Sequence, residues 1–351
     1  NIDNILDGAD TFSFTVFNAF DATNREINLF ADNVLVFDAE VEIKFGYESQ
    51  LQTIMFGIIT AVKINFPSGG VPQIDVSGFD KSYRMMKEKK PRSWNEMTDS
   101  EVVNRIANEY NLNTLSRIPY PHLENSIDVT EQKHSQIVKQ EKENDFEFIT
   151  RLAERNYYEF FIFNETIFFR KPRYKSDPIV TLEWQKSLLS FSPDFNIAER
   201  VFQVDVIGQN TTNDKKNIIG TAKILNDEIG QLFIKKIINI IQGEESTEQL
   251  TKEQVKQPVS SEEHAKNLAK SILLKKHEEV LKGSGESIGI PDILAGTNIE
   301  LKGLGKQFSS TYYIDQTNHS ISSSGYKTTF NVKRVPNEDD IELTSETTQL
   351  S

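Results

Sequence analysis

Residues 41–46 read Val-Glu-Ile-Lys-Phe-Gly, and residues 299–303 read Ile-Glu-Leu-Lys-Gly. In both, apolar and charged side chains alternate with period two, the pattern of a half-buried strand, and a glycine closes the run. The downstream segments also match. After the first comes a strand-like run from Phe56 to Ile64, the turn Ser68-Gly69-Gly70 and a strand from Gln73 to Val76. After the second come Tyr312 to Thr317, the turn Ser322-Ser323-Ser324-Gly325 and Lys327 to Val332. This order and spacing predict two related antiparallel β-barrels in one chain.

Working outward, Phe12, Phe14 and Val16 continue the period of two, and so do Val34 and Val36, so residues 1–90 are expected to form the first barrel, completed by strands near 176–195. After Pro91 the period changes. Thr98 with Glu101, and Asn144 with Glu147, have the spacing of capping boxes, which satisfy the orphan N–H groups of a helix start. Val102, Val103, Ile106, Ala107 and Tyr110 share one helical face, and Phe148, Ile149, Leu152 and Ala153 share another. Apolar runs around Asn164-Glu165-Thr166 predict a hairpin between Tyr158 and Arg170. Residues 91–175 therefore read as a small α+β insert. The second barrel is expected over 196–335, with a mobile connection at 243–257 and a third amphipathic helix over 260–282. That helix would start at Ser260, with Glu263 closing its box and Gly283 in the left-handed position past its end. Residues 336–351 read as a polar tail. The fold class is β-rich α+β.

A chain of 351 residues exceeds the size at which one core keeps growing, which favours two or three packed units. Its 39 Lys and Arg against 52 Asp and Glu give a formal charge of −13, a poor general nucleic-acid binder. With no cysteine, disulfides, thiol nucleophiles and Cys-based zinc sites are excluded. No stretch approaches the roughly 18 apolar residues of a membrane span, and the first residues lack the basic and apolar regions of a signal peptide.

Residues suited to chemistry are present without the spacing that chemistry needs. None of His122, His134, His264, His277 and His319 pairs with another as metal ligands do, and His264 and His277 lie over three helical turns apart. Glu141, Glu143, Asp145 and Glu147 crowd a helix start, where carboxylates are expected from dipole and capping preferences. Gly283-Ser284-Gly285 and Gly303-Leu304-Gly305 lack the phosphate-loop and dinucleotide patterns. The basic runs Lys87-Glu88-Lys89-Lys90 and Arg170-Lys171-Pro172-Arg173 read as solvated connections. No catalytic, cofactor-binding or metal-binding residue is assigned, and no cofactor is expected.

The order of segments nevertheless resembles a known family. Val76-Ser77-Gly78-Phe79-Asp80, Lys90-Pro91, Trp94 and Thr98 to Ala107, then Asn144 to Ala153, are similar to the phage late control protein D family. So are Glu262-Glu263-His264-Ala265, Gly289-Ile290-Pro291, Ala295-Gly296, Gly303-Leu304-Gly305, Tyr313, His319-Ser320-Ile321 and Gly325 to Phe330. The resemblance implies a baseplate hub of a contractile phage tail or a VgrG-like injection device, assembled in a bacterial cytoplasm. It implies a homotrimer that adapts a hexameric inner tube to a trimeric central spike, with baseplate wedge proteins as further partners. Three copies of two barrels make six similar elements, so a threefold object can meet a sixfold tube. A tail-associated cell-wall hydrolase and a monomeric glycan-binding module are the alternatives.

Overall fold

A computed structural model of the chain describes residues 1–17, 19–21, 23–27, 34–48, 50–114, 123, 126–130, 138–196, 201–209, 216–225, 252–257, 259 and 261–349. The first half of the chain supplies β1 (Ile2–Ile5), β2 (Thr11–Phe17), β3 (Phe20–Asp21), β4 (Glu26–Ile27), β5 (Glu40–Tyr47), β6 (Gln50–Asn65), β7 (Gln73–Asp80) and α1 (Tyr83–Met86). β8 (Arg92–Trp94), α2 (Asp99–Glu109), β9 (Val138–Gln140), α3 (Asp145–Asn156), β10 (Glu159–Phe163) and β11 (Thr166–Arg170) come next. The second half supplies β12 (Val180–Glu183), β13 (Leu188–Phe195), β14 (Gln203–Gln209), β15 (Lys216–Ile224), β16 (Lys252–Lys256) and α4 (Glu262–His277). It ends with β17 (Leu281–Ile288), β18 (Asn298–Lys302), α5 (Gly305–Phe308), β19 (Ser310–Ser322), β20 (Gly325–Lys333) and β21 (Ile341–Gln349).

Two compact units result. The first comprises Asn1–Pro172, Glu286–Thr297 and Ile314–Phe330; the second comprises Arg173–Gly285, Asn298–Tyr313 and Asn331–Ser351.

In the first unit, β5, β6, β7, β2 and β1 are successive neighbours in one antiparallel sheet, and β1 pairs beyond them with β19, Ile2 facing His319. Alternation puts Ile2, Phe12, Ile74 and Val76 inside with Ile54, Met55 and Ile59. Each such side chain, fully buried, contributes roughly 1.5–3 kcal/mol. A register shift between Ile59 and Ala61 marks a bulge in β6, and Ile58 and Ile59, on opposite faces just before it, are both buried. The sheet curls. Its last strand brings Phe45 edge-on to Tyr326, 5.3 Å between ring centroids, and Tyr47 to the Gly289 carbonyl.

The insert has its own core, in which Val102, Val103 and Ile106 of α2 meet Phe148, Ile149 and Leu152 of α3. Both expected capping boxes form: Glu101 N–H donates to Thr98 Oγ1 (3.2 Å) and Glu147 N–H to Asn144 Oδ1 (2.8 Å). The expected hairpin is β10–β11, with Glu159 opposite Arg170 and the left-handed pair Asn164 and Glu165 at the turn. All ten of its strand residues are buried.

In the second unit, β16, β14, β15 and β21 form a four-stranded sheet, parallel between β14 and β16 and antiparallel elsewhere. α4 packs on it through Ala265, Leu268, Ala269, Ile272 and Leu273. β12 runs parallel to β18, and β18 pairs antiparallel with Ser310–Tyr313.

The structure corrects several expectations. The strands near 176–195 belong to the second unit, not the first. Residues 286–297 and 314–330 likewise leave the range expected for a second barrel. α4 ends at His277, and its N-cap is Ser261, whose Oγ accepts from His264 N–H at 3.0 Å. Gly283 is not a helix stop: it lies inside β17, where a Cβ would sit 2.6 Å from the Phe191 ring. The polar tail contains β21, which pairs antiparallel along all of β15. Of the connection at 243–257, residues 252–256 are β16, and residues 243–251 lie outside the described residues.

Candidate assembly interface

The residues singled out for chemistry are placed structurally. His319 is buried on β19; its Nε2–H donates to the Ile293 carbonyl (2.9 Å), so Nδ1 accepts from the Tyr326 hydroxyl (2.8 Å). Burial holds its pKa down at about 4. His277 is buried with Nε2 at 2.6 Å from the Val201 carbonyl, and His264 lies in the first turn of α4. His122 and His134 lie outside the described residues. Among the described residues, no group of three His, Asp or Glu side chains is placed to hold a metal ion.

The carboxylates at the start of α3 are structural. Glu147 closes the cap, Glu143 pairs with Arg151 (2.8 Å), and Asp145 is buried among Lys90, Arg92, Tyr110 and Gln140. Burial alone would raise the Asp145 pKa; hydrogen bonds from Tyr110, Gln140 and Arg92 outweigh it and hold the group ionised. Of the basic runs, Lys87-Glu88-Lys89 is exposed, with Lys87 pairing Asp38 at the surface (2.9 Å), whereas Arg170 is fully buried on Glu159 (2.8 Å), over the rings of Phe161 and Phe168. The hairpin register that sets Glu159 opposite Arg170 was the sequence signal for this pair. Gly303, in the turn after β18, and Gly305, at the start of α5, have positive φ.

What the first unit offers outward is apolar surface at strand ends. Phe17, Ile64, Phe66 and Val71 are exposed at the β2 end and the β6–β7 turn, Phe17 by 60% and Phe66 by 61%. Phe66 meets Phe20 edge-on at 5.7 Å. They project because Val16 pairs with Ile74 and Phe17 with Gln73 at the last rungs of the ladder. Tyr47, whose ring lies beside that of Tyr326, is exposed as well. Exposed apolar groups gathered this way mark interaction surfaces more often than isolated ones do.

The second unit has a cleft of about 500 Å³ lined by Tyr174, Lys175, Tyr313, Lys333, Arg334 and residues 336–340 among others. Its charges meet within the unit. Lys333 sits 2.9 Å from Glu278 and over the Tyr313 ring, and Lys175 pairs with Asp339 at 2.6 Å. Burial would raise Glu278, and Lys333 and Lys275 more than offset it, so it stays ionised. Among the described residues, outer strands of the larger sheets are β5 in the first unit and β12, β13, β16 and β21 in the second. Among the described residues, no helix is long and apolar enough to cross a membrane.

The family described as the Alg8 N-terminal domain matches residues 13–323. The chain belongs to that family. The family whose model matches is thus the Alg8 N-terminal domain family, not the late control protein D family that the motifs resemble. No curated protein matches the chain. Solved structures give the fold. The 43 kDa tail protein of prophage MuSo2 from Shewanella oneidensis aligns with a TM-score of 0.61 at 13% identity, over 97% of this chain and 94% of that one. A tail protein from Neisseria meningitidis MC58 aligns with a TM-score of 0.59 at 14% identity, over 95% and 90%. An E. coli component of the type VI secretion system, described as similar in structure to bacteriophage T4 tail proteins, aligns with a TM-score of 0.58 at 14% identity, over 97% and 73%. This member of the Alg8 N-terminal domain family therefore has the β-rich fold of phage tail proteins.

Proposed function

We propose that the chain is a structural component of a phage-tail-like baseplate, a homotrimeric hub that joins a hexameric inner tube to a trimeric central spike. The observation that carries this reading is the repetition of one meander. β5, β6 and β7 form a strand, a long strand and a strand joined by short turns, and β18, β19 and β20 have the same order. Two such meanders per chain give six similar elements in a trimer, enough to face a sixfold ring. The shared fold of tail proteins over nearly the whole chain supports the same reading.

The role proposed is mechanical rather than catalytic. Specificity would come from the exposed aromatic and aliphatic strand ends and from open edges that pair across copies, which also removes the hazard of unpaired edges. Electron microscopy of the assembled particle tests this. Three copies between tube and spike are expected; density for this chain elsewhere in the particle, or in a number other than three, contradicts the hub reading.

A further inference from the structure

Asp10 and Asp80 face each other at the end of the β2–β7 ladder. Thr11 is opposite Phe79, and the next rung is made by Asp80 N–H donating to the Asp10 carbonyl at 3.0 Å. Both side chains are buried, each residue 4% exposed. Asp10 Oδ2 accepts from Asn4 Nδ2 (2.7 Å) and its Oδ1 from Ile5 N–H (2.9 Å). Asp80 Oδ1 accepts from the Ser82 N–H (3.0 Å) and from the Ser82 hydroxyl. Asp80 Oδ2 is buried with no hydrogen-bond partner.

No cation among the described residues neutralises the pair. The charged groups on the packed elements are acidic: Asp3 on β1, which accepts from Thr11 and Asn318, Asp7 in the β1–β2 turn, which accepts from Phe160 N–H, and Asp315 on β19. Lys81 is next to Asp80 in the chain but turns to Glu165 and Glu40, and Arg84 to Glu40. Two like charges directly opposite in a ladder and out of water cannot both persist. An unpartnered oxygen is where a proton is held.

We propose that Asp10 and Asp80 form a proton-operated latch: one proton on the pair keeps the end of the β2–β7 ladder closed, and its loss loosens the joint where β7 passes into the insert. Asn4 extends the latch, since its Oδ1 accepts from Ala295 N–H at 2.7 Å while its amide holds Asp10. Burial and the neighbouring Asp80 push Asp10 well above the usual carboxylate range, and burial pushes Asp80 up to about 7. A carboxyl whose folded pKa is raised binds its proton in the folded state, so the stabilisation is complete below the unfolded value of 3.8 and is lost as pH rises through about 7.

The test compares thermal midpoints of the wild-type chain and Asp80→Asn between pH 5 and pH 8.5. The wild type is expected to lose on the order of 5 °C relative to the variant over that range. Parallel curves overturn the proposal. Should Asp80→Asn fail to fold, the wild type alone decides: an infrared band of a protonated carboxyl that persists at pH 6 and fades by pH 8.5 supports the latch, and its absence at pH 6 overturns it.

Discussion

The Tyr47 hydroxyl donates to the carbonyl oxygen of Gly289 at 2.9 Å, joining residues 242 apart in the chain. Beside it the Tyr47 and Tyr326 rings lie 5.9 Å apart, and a Cβ on Gly289 would fall 2.1 Å from the Tyr326 ring. Two substitutions separate bond from packing. Tyr47→Phe should cost about 0.5–1.5 kcal/mol, towards the low end because Tyr47 is half exposed. Gly289→Ala should cost about 1–3 kcal/mol by overpacking. Denaturant midpoints measure both, and an alanine variant as stable as wild type would show that the curl of the sheet is not set here.

Gly325 closes the β19–β20 turn with φ +105°, and a Cβ there would meet nothing within 4 Å. Any penalty on Gly325→Val is therefore one of backbone conformation, about 1–3 kcal/mol. Thermal melting is the readout. An unchanged midpoint would mean the turn can relax into an ordinary conformation.

His319 predicts an acid limb. Its folded pKa is held down at about 4 by burial, against 6.5 unfolded, so its contribution is complete above pH 6.5 and is lost as pH falls towards 4. The whole contribution is about 3 kcal/mol. In an NMR titration the His319 ring should stay neutral from pH 8 to pH 5.5. A midpoint near 6.5 would contradict the burial described.

Arg170→Met should cost about 3–5 kcal/mol, because buried Glu159 loses the Arg170 guanidinium. Arg170 also donates through Nη2 to the Gly296 carbonyl at 2.9 Å. The double variant Arg170→Met with Glu159→Leu should recover most of the loss in chemical denaturation. A single variant as stable as the double would mean the pair is not buried in solution.

Local features were legible in the sequence. The capping boxes at Thr98 and Asn144, the turn at Asn164-Glu165 and the alternation in β5 and β18 are written in residues within a few positions of one another. Pairings over long distances were not. Nothing near Ile2 specifies His319 as its partner, and nothing in residues 341–349 specifies β15. Gly283 misled because a glycine after a basic helix end carries the same local signal as one that makes room for Phe191. For the interface, period two identified Phe14 and Val16 as strand residues but could not say that Phe17 and Phe66, at the strand ends, stay exposed. The Asp10–Asp80 pair depends on β2–β7 register, which neither strand states alone.

Most directly, the hub account is tested by the mass of the purified chain in solution, measured by light scattering across a dilution series. The account predicts one species at three times 40.1 kDa. A single species of 40.1 kDa at every concentration would contradict it.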